Sequence, residues 1–299
     1  MKKTWRILLT VLLLVCFLIC AFLMLQQMRA YKKGAESAKL AAELAAEPET
    51  VQPDLPSGQI VPMPQHAEET TKPEVMPETP PQPKEPEQQW IPAPVEGDRD
   101  AAKLHINLKS LRKVNPEVIG WIHIPDTVLD YPLVQTEDND HYLNTTWDHY
   151  KLKVGAIFAD YRNAADLTDS HTLVYGHNLK DGTMFSLLLK YSDTSYWKRH
   201  PYIYVVQDGG ILRYEVYAAF EANVSDCVYD LSLTREEKEA MIRFGLEQSA
   251  VDTGVTPAAT DRILTLSTCT ELNERNTRWV VQARLPMIPL EEETTTANP

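Results

Sequence analysis

The run Arg262-Ile-Leu-Thr-Leu-Ser-Thr-Cys269 reads as a β-strand, because a period of two puts Leu264 and Leu266 on one face and Thr265, Ser267 and Cys269 on a more polar one. A polar loop, Thr270 to Thr277, separates it from a second strand at Arg278–Leu285. There Trp279, Val281, Ala283 and Leu285 share the parity of a core face, and Arg278, Gln282 and Arg284 share the other. Outward from this pair, β-branched and aromatic enrichment predicts six more strands, at Gly120–Ile124, Tyr131–Val134, Gly155–Asp160, Thr172–Tyr175, Tyr202–Val206 and Ile211–Phe220. Asp208-Gly209-Gly210 joins the last two as a hairpin. Eight strands at these spacings give a mainly β domain, a barrel or a sandwich, with added helices. One helix is expected behind a cap at Asp100, with Leu104, Leu108, Leu111 and Val114 on one face. A second is expected from Met184 to about Trp197, and a third over Arg235–Ser249 behind the capping box Thr234-x-x-Glu237.

The rest of the 299 residues divides by composition. Ile7 to Leu25 holds one polar residue, Thr10, and at ~1.5 Å per residue spans roughly 28 Å, the thickness of a bilayer's hydrocarbon core. A signal peptide has a shorter apolar run ending in a small-x-small site, so residues 1–33 are read as an uncleaved membrane anchor. Lys2, Lys3 and Arg6 precede the run and Arg29, Lys32 and Lys33 follow it, so flanking charge does not choose an orientation. Residues 34–97 read as a disordered tether that opens with an Ala/Glu/Lys-rich stretch able to extend the helix. Of the 21 prolines, 13 fall between Pro48 and Pro94, and 41–100 carry 13 acidic against three basic residues, which accounts for most of the net charge of −13. The folded domain is expected over 98–286, followed by a disordered tail, 287–299. No basic stripe with interleaved aromatics is present for nucleic acid, and no glycine-rich phosphate loop.

Cys16 and Cys20 lie in the apolar run, which leaves Cys227 and Cys269 in the domain, either as free thiols or as one disulfide. Without a C-x-x-C or H-x₃₋₅-H spacing no zinc or other metal site is expected, and nothing calls for a cofactor. Cys269 stands where a rigid strand meets a polar loop, the setting of a catalytic side chain. A thiol nucleophile needs an imidazole and a cation or N–H donors for the oxyanion. His177 follows the strand Thr172–Tyr175 through Gly176, and His171 at the start of that strand competes with it. Arg275 and Arg278 both return within reach of Cys269. Arg278 is preferred, since it projects from a strand whereas Arg275 lies in the loop.

Thr265-Leu-Ser-Thr-Cys269 followed by Arg278 resembles the T-L-x-T-C and downstream Arg signature of sortases, and Tyr175-Gly-His177-Asn resembles their catalytic histidine segment. Asp138-Asn-Asp-His-Tyr-Leu143, Gly155-Ala-Ile-Phe-Ala-Asp-Tyr-Arg-Asn163 and the helix before the seventh strand are similar to the class B branch. Over about residues 100–286 the resemblance implies an eight-stranded sortase β-barrel with catalytic Cys269, His177 and Arg278. It further implies a membrane-anchored, extracellular transpeptidase of a Gram-positive type of cell. That enzyme would cleave a C-terminal sorting motif of secreted proteins and pass the acyl group to an amine of peptidoglycan or a pilin. An extracellular cysteine peptidase that hydrolyses the acyl-enzyme, and a non-catalytic tethered binding module, are the alternatives.

Overall fold

In the computed structural model, which describes residues 2–48, 90–95, 97–269 and 276–290, the alternating segments become ten strands. They are β1 (Trp90–Pro92), β2 (Val118–His123), β3 (Asp130–Val134), β4 (Ile157–Ala159), β5 (His171–Tyr175), β6 (Tyr202–Gln207), β7 (Gly210–Asn223), β8 (Arg262–Cys269), β9 (Thr277–Leu285) and β10 (Met287–Pro289). Strands β2 to β9 close into a barrel in the order β2-β3-β4-β5-β8-β9-β7-β6, which leaves no open sheet edge. All eight expected strands are present, and closure selects the barrel over the sandwich. The parity expected for the last two long strands holds: Leu264, Leu266, Val281, Ala283 and Leu285 fill the interior with Ile122, Leu133, Val174 and Val205.

Among the described residues four α-helices accompany the barrel: α1 (Lys2–Ala45), α2 (Leu108–Val114), α3 (Thr194–Arg199) and α4 (Arg235–Gln248). Helix α4 opens on the expected capping box, with Thr234 and Glu237 each bonded to the other's backbone. Its Met241 and Ile242 cover Phe220, Ile263 and Val280 on the outside of β7, β8 and β9. The outward parity of these strands is therefore buried as well. The helix expected at Asp100 is instead a short 3-10 turn, Ala101–Lys103, an extended link, and α2. Asp98, not Asp100, holds the turn, accepting from the backbone N–H of Asp100 and Ala101, while Asn107 caps α2. The Met184–Trp197 segment likewise splits into a 3-10 stretch, Phe185–Ser192, and α3, because Asp193 caps a new start by accepting from Ser195 N–H.

Two segments outside the expected domain limits are ordered on it. Met287–Pro289, assigned by sequence to the tail, pairs with β1 from the end of the tether, each strand hiding the other's edge. Helix α1 runs unbroken for 44 residues, and its C-terminal turns lie against the barrel. Gly34, Ser37, Ala41 and Ala45 form a small-residue stripe at helical spacing, which lets the backbone come close. A Cβ on Gly34 would sit 3.1 Å from Val154 Cγ1. Ala41 and Ala45 are buried with Leu108, Leu111, Trp121 and Trp147. The Ser37 hydroxyl donates to Asp148 Oδ1 at 2.6 Å, and the Trp147 indole N–H donates to the Ser37 carbonyl at 2.9 Å. Ser110 donates to Glu47 at 2.8 Å, and Lys33 stands over the Tyr150 ring at 3.9 Å. The Ala/Glu/Lys-rich stretch is thus a docked helix end. Most of the expected tether, 49–89, lies outside the described residues, as do 291–299.

Ala41→Lys puts a charged chain where only a methyl fits. It should release the last turns of α1 and destabilise the chain by about 1–3 kcal/mol. Limited proteolysis of the full chain in detergent should then cut near Lys33–Lys39, where the parent is protected, while the exposed change Lys39→Ala should leave the pattern as it was.

Candidate functional site

Three strands end together at one rim of the barrel. Strands β5 and β8 run parallel in the register His171↔Ile263 to Tyr175↔Ser267, and Gly176 N–H continues the ladder to the Ser267 carbonyl at 3.3 Å. Two residues past the paired Tyr175 and Ser267 come His177, just beyond the end of β5, and Cys269, the last residue of β8. Strand β9 runs antiparallel to β8 with Cys269 opposite Arg278. Directly opposite positions of an antiparallel pair share a sheet face. The backbone positions of the three residues singled out by sequence therefore lie at one rim, about ninety residues apart in the chain for His177 and Cys269. Arg275 lies outside the described residues.

His177 is half-buried and fixed from two sides. Its Nε2–H donates to the Leu143 carbonyl at 2.7 Å, which leaves Nδ1 as the nitrogen available for proton transfer. Gly155, at φ +63°, backs the ring: a Cβ there would lie 2.6 Å from the Tyr142 carbonyl and 2.9 Å from His177 Cδ2. Gly176 is equally confined, since its Cβ would meet the Phe185 ring at 2.8 Å. Arg278 is partly buried, and its NH1 donates to the Thr277 carbonyl at 2.9 Å. His177 and Arg278 face a cleft of about 590 Å³ whose walls include Tyr175, Arg162, Tyr229 and Ser267.

The two class B-like segments quoted above supply part of that wall, through Asn139, Leu143, Phe158 and Arg162. Asp160, fully buried, accepts from Arg162 Nε and NH2, from the Tyr175 hydroxyl at 2.9 Å and from Asn139 Nδ2 at 3.0 Å. Burial opposes ionisation of Asp160, but the Arg162 bonds, with those from Tyr175 and Asn139, outweigh it and hold the carboxyl below its ordinary range. Tyr161 N–H donates back to Asn139 Oδ1, locking residues 138–143 to 159–163. Sequence reasoning did not single out Arg162, Tyr175 or Tyr229. Arg162 follows the buried Asp160 by two residues and pairs with it, a local spacing that could have pointed to it, whereas Tyr229 arrives from a distant 3-10 turn and carried no signal.

His171 is not at the cleft. It is fully buried on the outward face of β5, with Nδ1–H donating to the Asp230 carbonyl at 2.8 Å and Nε2 accepting from the Thr265 hydroxyl at 2.8 Å. Gln282 Nε2 also donates to Thr265 Oγ1, and Tyr217 donates to Gln282 Oε1. The polar parity of β8 and β9 is thus a closed hydrogen-bonded layer under α4, not a solvated face. Cys227 is a free thiol, which removes the disulfide alternative; burial, then Asp226 and Asp230, push it up from the ordinary thiol range.

Burial lowers the His171 pKa to about 4, so folding requires the neutral ring. An unfolded histidine near 6.5 binds its proton first, so this contribution is intact above that pH and is lost as pH falls from about 6.5 toward 4, by up to ~3 kcal/mol. Chemical unfolding of the parent and of His171→Gln at pH 7, 5.5 and 4.5 should show a stability gap that shrinks with acidity, because the variant lacks this titration.

Comparisons with known proteins bear on the family and the fold. The Sortase domain family model matches residues 122–286. Sortase B of Listeria monocytogenes is 36% identical over 197 residues, covering 62% of this chain and 79% of the relative. Sortase B of Staphylococcus aureus is 29% identical over 174 residues, covering 58% and 71%. Among solved structures, a Staphylococcus aureus sortase B–substrate complex is similar with a TM-score of 0.56 at 30% identity, covering 61% of this chain and 85% of that one.

Proposed function

Because the chain belongs to the sortase family and is a class B cysteine transpeptidase, we propose that Cys269, His177 and Arg278 carry its reaction. Its donors, in this reading, are secreted proteins bearing a C-terminal sorting motif, and its acceptor is an amine of peptidoglycan or a pilin. The observation that supports the assignment is the shared register of β5, β8 and β9 at one rim of the barrel. A thiol of ordinary pKa about 8.5 ionises more readily beside positive charge, which an imidazolium and a guanidinium both supply. The Cys269 thiolate attacks the scissile carbonyl, forming a C–S bond, and the oxyanion takes donors from Arg278. As the C–N bond breaks, His177 gives its Nδ1 proton to the leaving amine. The incoming amine then attacks the thioester, gives a proton to His177, and expels the thiolate as the new amide forms. Hydrogen bonding of Nε2–H to Leu143 keeps the ring oriented through both halves.

Substitution tests these roles. Cys269→Ala should eliminate the acyl-enzyme seen by intact mass with a sorting peptide, whereas Cys227→Ala should keep most activity. His177→Ala should fold and lose roughly 10²–10⁴ in turnover. Arg278→Ala should lose roughly 10²–10³, and Arg278→Lys should recover little, because an ammonium cannot reproduce a planar pair of donors. Amine-dependent product in place of hydrolysed peptide separates a transpeptidase from a peptidase. Near-normal turnover in Arg278→Ala would remove it from the mechanism.

Helix α1 is long and apolar enough to cross a membrane, with its apolar side chains exposed over Val11–Leu25. The reading puts the N-terminus inside the cell and the barrel outside, anchored by one span. Protease added to intact protoplasts should digest the catalytic domain; a domain that stays protected would reverse the topology.

A further inference from the structure

Outside the cleft, Glu117, His141 and His149 bring a carboxylate and two imidazoles together, with their ligand atoms all within 4.8 Å of one another. They arrive from three segments: Glu117 just before β2, His141 from the 3-10 turn after Asp140, and His149 from the turn closed by Thr146 N–H and the Tyr150 carbonyl. The two rings stand edge to face at 6.3 Å. Among the described residues, no hydrogen bond or ion pair occupies either imidazole. His149 is held at φ +63°, a conformation that costs a non-glycine residue energy, by Thr146, whose hydroxyl donates to Asp148 and accepts from Tyr150 N–H.

Behind the carboxylate stands a buried support. The fully buried Tyr142 hydroxyl donates to Glu117 Oε2 and accepts from Asn115 Nδ2 at 2.8 Å, and Asn115 is itself fully buried. Metal-binding carboxylates and imidazoles are commonly oriented by such an outer layer of hydrogen bonds. Two nitrogens and one oxygen suit a late first-row divalent ion, above all zinc, and leave a fourth position for water. Calcium and magnesium prefer all-oxygen sites. Zinc–ligand distances of about 2.0–2.2 Å need donors roughly 3.5 Å apart, so the two exposed imidazoles have to close by about an ångström.

We infer that Glu117, His141 and His149 form a surface site for a zinc-class divalent cation. The ion acts as a clamp and takes no part in the transfer reaction. It ties the entry of β2 to residues 141–149, the segment that supplies the Leu143 carbonyl to His177 and grips α1 through Trp147 and Asp148.

The test uses the full chain in detergent without a histidine tag, stripped with chelator, and with all four cysteines changed to Ala so that thiols cannot take the metal. Zinc titrated against a chromophoric indicator should bind once per chain and raise the melting temperature. His141→Ala and His149→Ala should each weaken binding at least tenfold while melting like the parent in metal-free buffer. Tyr142→Phe, which keeps the ring and removes the donor, should weaken it roughly tenfold. Cobalt in place of zinc should give visible absorption that the two histidine variants lack. Absence of stoichiometric binding, or affinity in His141→Ala and His149→Ala equal to that of the parent, would overturn the inference.

Discussion

Strand β8 has to satisfy two neighbours and two faces at once. It runs parallel to β5 and antiparallel to β9, its inward leucines fill the barrel, and its outward threonine and serine sit beneath α4 and the Tyr229 turn. A slip of one residue would exchange Leu264 and Leu266 for Thr265 and Ser267 across the sheet, burying hydroxyls in the core and leucines in a polar layer. Register is therefore fixed by core packing over the whole strand, and the positions at its end inherit that precision. Residues 269 and 278 face one another because Leu264 and Ala283, or Leu266 and Val281, already do.

The outward layer is as constrained as the core, by different physics. His171, Thr265, Gln282 and Tyr217 are buried polar groups whose donors and acceptors are matched among themselves and to the Asp230 carbonyl. Removing one leaves its partner unsatisfied, at about 1–3 kcal/mol for each such group. This network explains how one histidine at the start of β5 and another just past its end differ in kind. His171, inside the layer, is used up by its hydrogen bonds and kept neutral by burial, whereas His177, past the strand's end, spends one nitrogen on orientation and keeps the other.

Period-two alternation made the eight strands and the parity of Leu264, Leu266, Val281 and Leu285 legible, because each follows from local pattern and burial on one face. The capping box at Thr234 was legible for the same reason. Pattern placed Thr265, Ser267 and Gln282 on a polar face but could not tell a solvated face from one roofed by α4. Nor could it locate Tyr229 or Arg162 at the cleft, or join Glu117 to His141 and His149, since these meetings depend on how separate segments fold over one another. The resemblance to sortases raised Cys269 and His177 above other thiols and imidazoles. The chosen arginine rested on strand parity, and its position opposite Cys269 comes from the same register.

Composition also suggested a long spacer between membrane and domain, and the packing of α1 alters what such a spacer can do. Glu47 is bonded to Ser110 and Trp90 is paired with Pro289, so both ends of the acidic, proline-rich stretch are held on the same domain. Whatever path residues 49–89 take, they connect two points of one body. For a membrane crossed by α1, distance from the lipid would instead be set by the helix itself, which passes from its apolar run to its docked face within a few turns. About nine residues separate Leu25 from Gly34, roughly 14 Å at 1.5 Å per residue. Leu179, two residues beyond His177, lines a groove with Leu23, Gln26 and Tyr31. A membrane crossed by this helix would therefore lie close to the loop that follows His177, and the cleft would meet its substrate near the lipid surface instead of far out along a flexible arm.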